Sequence, residues 1–164
     1  MTAAVYPGSF DPLTIAHLAV AEAAIEHLQV TRIDLAISRR TLGKDHLDEH
    51  SVAARVSTLR ATLRDRPRLD VVVVDAELIV DIASGYDAVV MGADKWAQVV
   101  DPAWYAGDTA ARDAALARLP AVAVAPRDGI VVPAELVLPV PAHIAAVSAT
   151  AVRAGRTDWA AHPD

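Results

Sequence analysis

A chain of 164 residues, 54% of them hydrophobic, is long enough to bury a full core, and none of its apolar runs approaches the roughly 20 residues that a membrane span needs. A formal net charge of −6 excludes broad electrostatic attraction to nucleic acid, so basic residues that serve a phosphate must act locally. There is no cysteine, which rules out disulfides and thiolate metal sites; with no basic leader before the first apolar run, a cytoplasmic protein is expected, and the weight of Ala and Val leans towards a homo-oligomer.

Ala3 to Tyr6 predicts a short buried strand of a parallel sheet. It breaks at Pro7-Gly8, loops through Ser9-Phe10-Asp11-Pro12, and gives way to a helix from about Thr14 to Leu28. On that helix Leu18, Ala21, Ile25 and Leu28 form one apolar stripe. Thr31 to Ser38 predicts a second strand, which ends in a basic loop, Arg39 to Lys44, at the sheet edge where ligands of open α/β sheets gather. His46 and His50 flank Asp48 and Glu49, but that spacing serves a metal only on a helix, and a solvated charged turn explains it better. No metal ligand is assigned. The next helix is expected from Ser51 as N-cap to about Arg66, with Val52, Val56, Leu59 and Leu63 on one face and Pro67 as the stop.

Leu69 to Val74 is a β-branched strand, Glu77 to Ala83 a short helix, and Asp87 to Met91 a fourth strand ending in Gly92-Ala93-Asp94. Three Trp, three Tyr and one Phe are the whole aromatic complement, yet Trp96, Trp104 and Tyr105 fall close together. They could stack on a flat ligand ring or simply cover the sheet edge. Asp108 to Leu119 predicts an Ala-rich helix, Ala121 to Ala125 a fifth strand, and Leu136 to Val140 a short edge strand among prolines. Strands alternating with helices over residues 1–164 predict a single-domain α/β fold: a Rossmann-like, doubly wound parallel sheet of about five strands with helices on both faces.

The stretch from Tyr6 to Leu18 concentrates the chemistry. Gly8 permits a close backbone approach, Thr14 and His17 share one side of the first helical turn, and the helix start offers free N–H groups and a positive dipole end. All of this suits an anion. The run Gly8-Ser9-Phe10-Asp11-Pro12 followed by Thr14-Ile15-Ala16-His17 resembles the first motif of the nucleotidylyltransferase superfamily, G-[ST]-F-D-P then [HT]-x-G-H. Far downstream, Val147-Ser148-Ala149-Thr150-Ala151-Val152-Arg153 resembles that family's I-S-S-T-x-x-R. One position departs: the glycine before the histidine is Ala16.

The resemblance implies transfer of a nucleoside monophosphate, AMP from ATP or its counterpart from another NTP, onto a small phosphate-bearing acceptor. It points to nicotinate mononucleotide or 4'-phosphopantetheine, with a slight lean to the former from the aromatic cluster. It implies that His17 donates to the α-phosphate, that Thr14 and Ser9 hold phosphate oxygens, and that Gly8 and Phe10 shape the nucleotide subsite. Lys44 would bridge acceptor and α-phosphate, unless it is a solvated loop lysine. Ser148, Thr150 and Arg153 would take the β- and γ-phosphates, against the alternative of a capped helix start with a solvated arginine. Gly92 and Asp94 would lie at the nucleotide, Asp94 holding a substrate hydroxyl or capping its turn, while Trp96 and Trp104 would meet the acceptor. Mg²⁺ is expected, bound mainly through the triphosphate. A non-catalytic nucleotide-binding module is the alternative that Ala16 supports. A dinucleotide-dependent dehydrogenase or a P-loop NTPase would need G-x-G-x-x-G or G-x-x-x-x-G-K-[ST], and neither occurs.

Overall fold

The computed structural model describes residues 2–40 and 48–162; Lys44 and His46 lie outside them. The strands are β1 (Ala3–Pro7), β2 (Arg32–Ser38), β3 (Leu69–Val74), β4 (Ala88–Gly92) and β5 (Ala121–Ala125), all parallel, in the order β3-β2-β1-β4-β5. The helices are α1 (Ile15–Leu28), α2 (Glu49–Thr62), α3 (Ile79–Ile82), α4 (Ala93–Val100), α5 (Thr109–Ala117) and α6 (Ala149–Arg153). This is the expected Rossmann-like doubly wound architecture, with the order reversing between β1 and β4. No helix among the described residues is long and apolar enough to cross a membrane.

Alternation along the strands divides the core in two. Ala4 and Tyr6 of β1 face α1, α2 and the last third of the chain, together with Leu35, Leu59, Val90 and Ile144. Val5 between them faces α3 and α4, with Ile79, Ile82, Met91 and Val99. The predicted stripe of α1 is buried at Leu18, Ala21 and Ile25, and Ala16, Val20 and Ala24 are buried as well. A wider face is covered than four stripe positions provide because the 3₁₀ turn Ala142–Ala146 also packs against the helix. Asp34 is a buried carboxylate within β2, held by Arg32 at 2.8 Å and by the Tyr86 hydroxyl at 2.8 Å, and these partners offset the cost of burying it.

Register opens the sheet where the order reverses. β1 pairs with β2 from Ala3 through Pro7, but with β4 at Ala4 and Val5 alone among the described residues. Past Val5 the two central strands are no longer tied to each other. The Gly8 N–H turns to the Ala36 carbonyl of β2 at 3.1 Å, leaving a crevice on the β4 side.

Several boundaries differ from expectation. Helix α2 is capped by Asp48, whose carboxylate accepts the Ser51 N–H at 2.9 Å, so the expected cap Ser51 lies in the first turn. A carboxylate there also matches the positive helix end better than a hydroxyl does. The segment after Gly92 forms α4, and Pro102–Tyr105 adds a 3₁₀ turn, where no helix is expected from sequence. The expected edge strand Leu136–Val140 is reduced to one bridge, Val124 with Val137, because Pro139 cannot donate to a ladder and the 3₁₀ turn Ala134–Leu136 takes up its start.

Leu35 is 1% exposed at the centre of the sheet. Leu35→Ala is expected to cost about 3 kcal/mol, read as a lower urea midpoint with an unchanged m-value.

Candidate active site

Two adjoining cavities open at the carboxyl ends of the strands, one over β1, β4 and β5 and the other over β1 and β2. One, about 290 Å³, is lined by Tyr6, Ala16, His17, Asp94, Arg127 and Val147 among others. The second, about 170 Å³, is lined by Ser9, Arg40, Arg55, Leu78, Trp104 and Tyr105 among others. Pro7, Gly8, Lys95 and Gln98 belong to both.

His17 is held by a capping box. The Thr14 hydroxyl accepts the His17 N–H at 3.3 Å, and His17 Nδ1 accepts the Thr14 N–H at 3.0 Å. With Nδ1 as acceptor, the proton of the neutral ring resides on Nε2, which becomes a donor. The ring is wedged edge-to-face against Phe10 at 5.0 Å and Tyr6 at 6.1 Å between centroids. Burial lowers its pKa from 6.5 to about 4, so at neutral pH it is an uncharged hydrogen-bond donor. Thr14 itself is 1% exposed and lies outside both cavity linings. Its hydrogen bonds go to His17, whereas the motif resemblance implies a phosphate contact for it.

Gly8 and Phe10 depend on each other. A Cβ on Gly8 would stand 2.8 Å from Phe10 Cζ, well inside van der Waals contact. Phe10 is 3% exposed and adopts φ 47°, a left-handed conformation unfavourable to a bulky residue. Its ring fills the space beneath the glycine, so Phe10 supports the larger cavity as core and presents little surface to it. The peptide bond Asp11-Pro12 is cis.

The two motifs meet. Val147 lines the same cavity as His17, and Arg153 donates through Nη1 to the Asp11 carbonyl in the first motif. Arg153 also reaches the Thr150 hydroxyl at 3.2 Å. Ser148 caps α6, accepting the Ala151 N–H at 3.1 Å. Ser148, Thr150 and Arg153 therefore stand beside the loop but outside both cavity linings. Of the acceptor-side expectations, Ser9 and Trp104 line the smaller cavity, whereas Trp96 packs against the α3–α4 core instead. Gly92 N-caps α4, and Asp94 is ion-paired with Arg127 at 2.7 Å across the mouth of the larger cavity. No group of three or more His, Asp or Glu that could hold a metal ion occurs among the described residues.

Arg55, Lys95, Gln98 and Arg127 line the cavities although sequence reasoning passes over them; Arg40 belongs to the basic loop expected at this edge. Lys95 directly follows the Gly92-Ala93-Asp94 strand end, and that adjacency is the available signal; its Nζ donates to Gln98 Oε1 at 2.9 Å. Arg55 sits mid-helix, and no local pattern marks it. It reaches the site only because α2 lies over the loop, where it bonds the Asp11 carboxylate at 3.1 Å.

The cytidylyltransferase-like family model matches residues 5–155, which includes every described residue of the site. Over 91 residues the chain is 32% identical to a phosphopantetheine adenylyltransferase of Cutibacterium acnes, the aligned stretch covering 54% of each chain. The chain thus spans about half the length of this curated relative.

Two measurements follow from the geometry. Gly8→Ala should displace Phe10 and lower the midpoint of thermal unfolding, by more than Gly107→Asn does at an open surface turn. His17 binds a proton in the unfolded chain below pH 6.5 but resists it in the fold down to about 4. Its contribution to stability is therefore complete above pH 6.5 and is lost as the pH falls through that window. In His17→Gln, which keeps a capping-box side chain, urea midpoints at pH 7.5 and pH 5 should differ less than in the parent protein.

Proposed function

This chain belongs to the cytidylyltransferase-like family, and on that footing we propose that it is a nucleotidyltransferase moving AMP from ATP onto the phosphate of a small acceptor. The observation that carries the proposal is the neutral, Nε2-protonated His17 in a cavity of about 290 Å³ that shares lining residues with a second, smaller one. ATP would occupy the cavity of His17, Asp94 and Arg127, and the acceptor the cavity of Ser9, Arg40 and Trp104.

A phosphate oxygen of the acceptor attacks the α-phosphorus, and the bond from that phosphorus to the oxygen bridging towards the β-phosphate breaks. The bonding pair leaves with pyrophosphate, and a new pyrophosphate linkage joins acceptor and adenylate. Both the attacking and the leaving oxygen are anionic, so no proton needs to be moved and no protein base is required. The task is alignment and charge neutralisation. His17 Nε2–H donates to an α-phosphate oxygen as charge gathers there. Lys95, which lines both cavities, offsets charge from both substrates, and Gly8 admits them close to the backbone. Lys44 is assigned the acceptor-to-α-phosphate bridge, and Ser148, Thr150 and Arg153 the β- and γ-phosphates, on motif resemblance. Mg²⁺, held by triphosphate oxygens and water, would spread the charge of the leaving pyrophosphate.

The curated relative supports 4'-phosphopantetheine as acceptor, and the apolar wall of Leu78, Ile79, Ile82 and Val99 favours such a slender chain. Trp104 and Tyr105 on the same cavity favour nicotinate mononucleotide as the second reading, since either ring can stack on a pyridine.

Pyrophosphate release should be measured with ATP and with CTP against both acceptors. Turnover with ATP and one of them is expected. His17→Ala should then lower kcat about 100-fold, with a smaller change in ATP affinity. Nucleotide binding by calorimetry with no release on either acceptor would instead indicate a non-catalytic binding module, in which the Ala16 methyl on the larger cavity has replaced the motif glycine.

A further inference from the structure

Asp11 is gripped from both ends. Its carboxylate Oδ2 accepts Arg55 Nη2 of α2 at 3.1 Å, and its carbonyl accepts Arg153 Nη1 of α6. Arg55 also donates Nη1 to the Ser9 carbonyl at 3.3 Å, so one guanidinium spans the turn of the loop. Just beyond, the Leu13 carbonyl accepts the Ala161 N–H at 2.9 Å, and Thr14 begins the box that orients His17. The loop contains a left-handed Phe10, a conformation that neighbouring structure must impose.

The two partners of the ion pair differ in exposure: the Asp11 side chain is 59% exposed, that of Arg55 16%. A half-solvated pair of this kind contributes little to global stability. Its geometry, however, ties the loop to a helix that supplies none of the described lining of the His17 cavity. Arg55 lines the smaller cavity, yet its guanidinium bonds to the loop.

We propose that Asp11 and Arg55 are a positioning pair, which fixes the Ser9–Pro12 loop against α2 and thereby sets where Thr14 and His17 stand, without either residue binding a substrate. The kinetic consequence rests on the nucleotidyl-transfer reading; the structural one does not.

The test uses the full chain with Asp11→Asn, Arg55→Gln, their combination, and Arg55→Lys. In pyrophosphate release, each single variant should lower kcat about tenfold with acceptor KM within about threefold, and the double variant should be no worse than the poorer single one. Arg55→Lys, which keeps the charge, should retain most of the rate. Independently of turnover, the His17 ring should be titrated by NMR in the parent and in Asp11→Asn. Its pKa should climb from about 4 towards 6.5 in the variant. Additive losses of kcat, or an unmoved His17 titration, would overturn the proposal. A raised acceptor KM at unchanged kcat would do so too, by making Arg55 an acceptor ligand. A parent protein that releases no pyrophosphate with any acceptor refutes the transfer reading, and the titration alone then decides the pair.

Discussion

Two hydrogen bonds between Thr14 and His17 carry more of this molecule than their size implies. Each satisfies a backbone N–H that the start of α1 would otherwise leave open, so the pair is worth about what a good helix cap is worth. The bond from the Thr14 N–H to Nδ1 also settles which ring nitrogen holds the proton and which way it points. Helix initiation and the state of the imidazole are thus one event. The aromatic contacts with Tyr6 and Phe10 then remove the ring from bulk water and keep it neutral. Everything assigned to the crevice presupposes that arrangement.

The crevice is itself a product of register. Because β1 leaves β4 after Val5, the carboxyl ends of two central strands part, and the loop after β1 can tuck Phe10 beneath Gly8 without meeting β4. An acidic chain places Arg40, Lys95 and Arg127 along these openings, which concentrates positive potential where polyanions would lie, while Arg55 is answered by Asp11. Asp94 partly answers Arg127, so the mouth of the larger cavity is less positive than its floor.

Strands are readable from sequence because β-branched runs such as Val71 to Val74 have few other uses, and Gly8 and His17 are readable because close backbone approach and first-turn spacing are local properties. What escapes is set by tertiary contact. Helix α4 has Gly92 at its N-cap with no side-chain bond to announce it, and in sequence its tryptophan draws more notice than its helical spacing. Trp96 and Trp104, eight positions apart, look equivalent in sequence, yet α4 turns one into the core while the 3₁₀ turn after it brings the other to the cavity. Arg55 becomes relevant only through where α2 lands, and no spacing within α2 encodes that. The buried state of Thr14 also follows from packing: Ala160 bridges to it from the chain's final segment.

The shared lining of Pro7, Gly8, Lys95 and Gln98 has an effect on the molecule that leaves. Two reactants held side by side each depart with half the contacts, but once joined they hold on to both halves as a single ligand, with no second loss of translational freedom to weaken the grip. If the two cavities took up two reactants, a product that joined them would keep the contacts of both, and its escape, more than bond making, would then be the slow step.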